Sequence, residues 1–110
     1  MSDQAFQQAA EAVLDAIEAA VERAIDEADL DVEIERQGNV ITLDFDDGSK
    51  VVVNSHSAAR EIWVAARSGG FHYRPVDGRW IDGRNGEELW AALSRVVSQQ
   101  GGAPVVLAPR

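Results

Sequence analysis

The sequence predicts an α+β fold, a two-layer sandwich in which two helices pack on one face of a five- to six-stranded antiparallel sheet. Three observations carry that prediction. Apolar residues recur at three- and four-residue spacing near the N-terminus, the period drops to two through a series of short segments, and the wider spacing returns near the C-terminus. Helices at the two ends of a meander cover one sheet face together. The other face is left to water or a partner.

The first helix is expected from Gln4 to about Glu27, with Ser2 or Asp3 as N-cap and Phe6, Ala10, Val13, Leu14, Ile17, Val21, Ala24, Ile25 and Ala28 on its apolar face. Glu11, Asp15, Glu18, Glu22 and Asp26 line the opposite side. Like charges four apart there cost roughly 0.2–0.5 kcal/mol per pair, so the apolar face must hold the helix. Leu30, Val32 and Ile34 then alternate with Asp31, Glu33 and Glu35 as a half-buried strand. Further strands are expected at Val40–Phe45, Lys50–Asn54, Glu61–Ala66, Phe71–Arg74 and Arg79–Asp82, separated by turns rich in Gly, Asn, Asp and Pro. Asn85, with Glu88 three positions later, reads as a capping box opening a helix to about Gln100, and Gly101-Gly102 stops it. The chain has room for one domain, residues 1–110, with a tail from about residue 101 in which Val105 to Leu107 cover an edge of the core.

Composition narrows the function. Cysteine is absent, which excludes structural disulfides, thiol catalysis and any Cys-ligated zinc or iron-sulfur cluster held by this chain alone, and fits a reducing compartment. No segment resembles a signal peptide or a membrane span, so the expectation is a soluble, cytoplasmic protein without a membrane partner. Residues 1–50 hold 14 acids and 3 bases, whereas residues 51–110 hold 5 acids and 7 bases. An acidic first half argues against nucleic acid and for cations or basic protein surfaces as partners. No nucleophile elbow, phosphate loop or zinc-protease motif is present, and His56, in a connecting loop, and His72, in a strand, read as ordinary half-exposed histidines. The expectation is a protein that is not an enzyme and has no catalytic residues.

Two features remain as candidate sites. The stretch VERAIDEADLDVEIE, Val21 to Glu35, holds seven carboxylates and one Arg, and runs from the end of a helix, where acids are disfavoured, into a strand. Carboxylate oxygens without thiols or nearby histidines suit hard cations such as Fe³⁺, Mn²⁺, Ca²⁺ or Mg²⁺. A regular helix and strand cannot wrap an ion, so such an ion is expected to stay mostly hydrated and weakly bound. The second feature is IWVAARSGG, where alternation puts Ile62 and Val64 on the covered face and Trp63 on the open one, near Asn54 and Arg67. Trp and Arg are over-represented at interface hot spots. Trp80 and Trp90 are assigned to packing.

The segment VNSHSAAREIWVAARSGGFHYRPVDGRWIDGRNGEELWAAL, with an Asn ending a strand, then IWVA, SGGFH, a DG turn, WID and a capped GEE, resembles the central signature of the frataxin family in its bacterial branch. Phe6 in the first helix and the acidic LDVEIE strand agree, and the likeness extends to about Gly101. The resemblance implies the same fold of two helices on one face of an antiparallel sheet. It also implies weak iron binding and regulation of iron-sulfur cluster assembly by docking on the cysteine desulfurase and its scaffold protein. On the matching positions Glu22, Asp26, Glu27, Asp29, Asp31 and Glu33 would form an iron-binding ridge, with Glu18 extending it. Glu22, Asp31 and Glu33, with Asn54 and Trp63 on the sheet, would meet the partners. A monomer, or an oligomer formed on iron binding, is expected. Ala19 and Arg23 depart from the family's usual acids, and Ser-His-Ser-Ala after Asn54 departs from its usual loop. Two other readings stay open: an iron donor, storage or ferroxidase-like protein, and an acidic interaction module without a metal role.

Overall fold

The computed structural model describes residues 1–109; Arg110, part of the expected domain, lies outside the described residues. Helix α1 spans Asp3–Ala28, strands β1 to β6 span Val32–Gln37, Val40–Phe45, Lys50–His56, Glu61–Ala66, Gly69–Val76 and Arg79–Asp82, and helix α2 spans Leu89–Gly101. The strands form one antiparallel sheet in sequential order, β1-β2-β3-β4-β5-β6. Both helices lie on one face, as the period changes predict.

Ser2 is the N-cap of α1, its hydroxyl accepting from the Ala5 amide at 3.0 Å. Phe6, Ala10, Val13, Leu14, Ile17, Ala20, Val21 and Ala24 are buried, while Ile25 is half-buried and Ala28 exposed as the helix leaves the sheet. Opposite them the sheet contributes Ile41, Leu43, Phe45, Val51, Val53, Ile62, Val64, Tyr73 and Trp80. Phe6 meets Trp80 edge-to-face, with centroids 6.0 Å apart. Trp90 is half-buried against the same core. Every alternate sheet residue faces the other way and is free of helices, which leaves one broad open face.

Several boundaries differ from expectation, among them β3, which runs on to His56, and β5, which starts at Gly69. β1 starts at Val32, because Leu30 is buried under the helix end with its amide 3.5 Å from the Ala24 carbonyl. β5 runs through Pro75 because pairing with β4 ends at Tyr73, so the missing amide is not needed on that side. α2 does not open at Asn85. The Asn85 side-chain Oδ1 accepts from the Glu87 amide at 2.8 Å, Asp82 closes the loop by accepting from the Arg84 amide with its carboxylate and from the Gly86 amide with its backbone carbonyl, and the Glu88 side chain is the N-cap, accepting from the Trp90 amide at 3.1 Å. A loop organised around one buried aspartate delays the helix.

α2 ends against the sheet and against the tail. Its buried Gln100 donates to the Ser49 hydroxyl and the Lys50 carbonyl and accepts from the Arg67 amide. A methyl group on Gly101 would come within 2.6 Å of Leu30, so only glycine lets the helix approach so closely. Gly102 is then the left-handed cap, at φ 72°. The tail returns along α2, burying Val105 and Leu107 and exposing Val106, as expected of a segment covering a core edge. Ser98 accepts from the Val105 amide at 2.9 Å and donates to its carbonyl at 3.0 Å, and Ser94 accepts from the Leu107 amide at 2.8 Å.

Candidate functional site

The acidic ridge follows from how α1 ends. Asp29 is the C-cap, held at φ 51° and ψ 37° with its amide bonded to the Ala24 carbonyl, a left-handed conformation that Asp tolerates better than most residues. That turn redirects the chain so that Leu30 and Val32 point inward and Asp31 and Glu33 outward. Glu22, Asp26 and Glu27 are exposed on the last turns of the helix, and Asp29, Asp31, Glu33 and Glu35 continue the exposed series onto the edge strand β1. The carboxylates of Glu22, Asp26, Asp29, Asp31 and Glu33 make no ion pair among the described residues.

Glu18 stands apart from this series. Arg36, on β1, reaches beneath α1 and contacts Glu18 at 3.0 Å and Asp15 at 3.1 Å, so the charge of Glu18 is already balanced within the fold. Arg23, which interrupts the acids in sequence, instead donates to the Ala108 carbonyl and ties down the tail. Among the described residues no three His, Asp or Glu side chains converge as a metal-holding group. Spread carboxylate oxygens fit a hydrated hard cation held by one or two ligands at a time, and do not fit a closed cage.

The sheet candidate is more built than its sequence suggests. Asn54 on β3 lies directly across from Trp63 on β4, which lies directly across from His72 on β5. His56 is not in a connecting loop but ends β3, and its ring stacks on one face of Trp63 at 4.0 Å between centroids. His72 stacks on the other face at 4.3 Å. Glu61 accepts from the Trp63 indole N–H at 2.8 Å and lies 3.7 Å from Nδ1 of His72. The Ala59 amide donates to Nδ1 of His56 at 3.3 Å. Trp63 is therefore half-buried between two imidazoles and presents an edge, not a free face, to solvent. From sequence both histidines read as ordinary half-exposed residues; the one signal for His72 is its odd-even phase relative to Phe71 and Tyr73, which puts it on the open face.

A family model described as a frataxin-like domain matches residues 1–103. The chain belongs to the frataxin family. Its bacterial relatives include proteins named iron-sulfur cluster assembly protein CyaY from Ralstonia nicotianae, 57% identical over 97% of this chain and 95% of the relative, and from Paraburkholderia phymatum, 54% identical over 99% and 100%. Among solved structures, frataxin from Psychromonas ingrahamii superposes with a TM-score of 0.83 at 30% identity, covering 98% of this chain and 99% of the other. A trimeric frataxin from Saccharomyces cerevisiae, described as complexed with ferrous, gives a TM-score of 0.75 at 25% identity over 86% of each chain. The two helices on one face of a six-stranded sheet are thus the frataxin arrangement; this frataxin's ridge runs from the end of α1 along the β1 edge of the sheet, and its Trp63 stack lies in the middle of the open face. No helix among the described residues is long and apolar enough to cross a membrane.

Proposed function

We propose that this protein serves iron-sulfur cluster assembly as a regulator, binding iron weakly on its acidic ridge and docking on the cysteine desulfurase and its scaffold protein. The observation that supports this reading best is the exposed series Glu22, Asp26, Asp29, Asp31 and Glu33, whose carboxylates have no counter-ion among the described residues. Glu27 belongs to the same surface, and Glu18 extends it only as far as its share in Arg36 allows. An uncompensated ridge attracts hydrated iron and a basic protein surface by the same charge. Docking through it is fast and weakens with salt. Asn54 and Trp63 supply a second contact on the open sheet face. The spread of the carboxylates favours transient iron binding over storage or oxidation, which need several ligands around each ion.

Desulfurase turnover measured with and without the protein and iron tests this reading. The protein is expected to change turnover in an iron-dependent way. Reversing Glu22, Asp31 and Glu33 to Lys is expected to weaken binding to the desulfurase by at least about tenfold at low salt. Unchanged affinity after charge reversal would remove the ridge from the mechanism.

A further inference from the structure

Bases are scarce in this chain, and nearly all of them are engaged. Arg23, Arg36, Lys50, Arg60, Arg67, Arg84 and Arg95 each donate to a carboxylate or a backbone carbonyl. Among the described Lys and Arg side chains only those of Arg74 and Arg79 have no hydrogen-bond or ion-pair partner. The two sit together. Arg74 lies across from Ile81 and Val76 across from Arg79, so alternation places Arg74, Val76, Arg79 and Ile81 on the open face beside His72. Val76 is 40% exposed, one of the few large apolar side chains left in water. The Arg74 guanidinium lies over Gly83, where the missing side chain leaves room for it. The open face is therefore polarised: Glu33, Glu35 and Asp44 on β1 and β2, the His56–Trp63–His72 stack in the middle, free arginines and exposed valine on β5 and β6.

We infer that the β5–β6 end of the open face is a docking surface for a carboxylate-bearing segment of a protein partner. Arg74 and Arg79 take its acids through their planar forks, and Val76 with the edge of the Trp63 stack takes an apolar side chain between them. Two arginines in a chain of net charge −9 are too few to hold a nucleic-acid backbone against the repulsion of the first half. The partner's surface is then itself polarised, basic where it meets the ridge and acidic where it meets β5 and β6, which sets one docking orientation. This inference rests on the reading of Trp63 as a partner contact.

The test uses the ¹⁵N-labelled full chain and two capped heptapeptides, three Glu on either side of a Phe, and the same with Lys. The Glu peptide is expected to shift the Trp63 indole signal and the amides of residues 72–81, and the Lys peptide to shift the ridge instead. The Arg74→Gln, Arg79→Gln double variant, whose changes are exposed, is expected to bind the Glu peptide about tenfold more weakly. The inference is overturned if the Glu peptide leaves β4 to β6 unmoved, or if the double variant binds it equally well. It is also overturned if light scattering shows the protein associating with itself through Arg74 and Arg79, which would make a second copy the occupant. Failure of the regulatory reading registers elsewhere, as desulfurase affinity indifferent to ridge reversal, and leaves the peptide result readable.

Discussion

Tyr73 and Asp29 show how single positions carry costs that the surrounding fold absorbs. The Tyr73 hydroxyl is buried without a hydrogen-bond partner among the described residues, as is one oxygen of Asp82 directly across the sheet. Burial, reinforced by the carboxylates of Glu87 and Asp82, pushes the Tyr73 phenol above its ordinary value near 10. The neutral phenol is thus favoured in the folded state. Stability from this group is fully present below about pH 10 and is lost as pH rises toward the raised folded value, because the unfolded chain ionises first. Since Tyr73 is the only tyrosine, absorbance of the phenolate reads it directly. Tyr73→Phe is expected to remove this alkaline component while changing neutral-pH stability by no more than about 1 kcal/mol. A large loss at neutral pH would mean that the hydroxyl is bonded after all. Asp29 holds a left-handed conformation and puts a carboxylate at the negative end of α1. Asp29→Gly is expected to raise stability by about 0.5–1 kcal/mol in urea unfolding, and a fall in the midpoint would refute the account.

Helices and strands were the most legible level. β2, β4 and β6 begin and end where alternation and turn residues place them, because each has a buried face and a short turn at its ends. Asn85 misled because a capping pattern records only local affinity, and here Asp82 captured the loop first. The tail shows the same dependence on neighbours. Nothing in APVVLAPR demands an extended strap, yet Ser94 and Ser98, one turn apart on α2, bond the backbone of Leu107 and Val105 while both apolar side chains enter the core edge. Deleting residues 104–110 is expected to cost about 2–4 kcal/mol by denaturant titration, and Ser98→Ala about 1 kcal/mol. A tail that can be removed without lowering the midpoint would show the strap to be decorative.

The whole molecule separates charge. Acids collect on the last turns of α1, on β1 and on β2, and free bases on β5 and β6, so the electrostatic cost is concentrated at the ridge. Raising ionic strength, and adding Mg²⁺ at constant ionic strength, should each raise the melting temperature by a few degrees, corresponding to about 1 kcal/mol or less for a weak site. The Mg²⁺ increment should shrink when Asp26 and Asp31 are changed to Asn. An equal response in that variant, followed by differential scanning calorimetry, would place the cation elsewhere. Of the candidate sites, the ridge was readable because exposure of acids follows from alternation with Leu30, Val32 and Ile34. The Trp63 stack was only half readable: its strand phase was visible, its partners were not.

What the sequence determined by itself was the order of elements, the face each buries, the location of negative charge and the family signature, all of which depend on spacing along the chain. The tertiary structure alone decided which charges remain free. Arg36 crosses from β1 to take Glu18, Arg23 turns to the tail, and β3, β4 and β5 align His56, Trp63 and His72 into one stack. Those pairings join residues far apart in sequence, and cross-strand register and helix placement set them, neither of which a local pattern encodes.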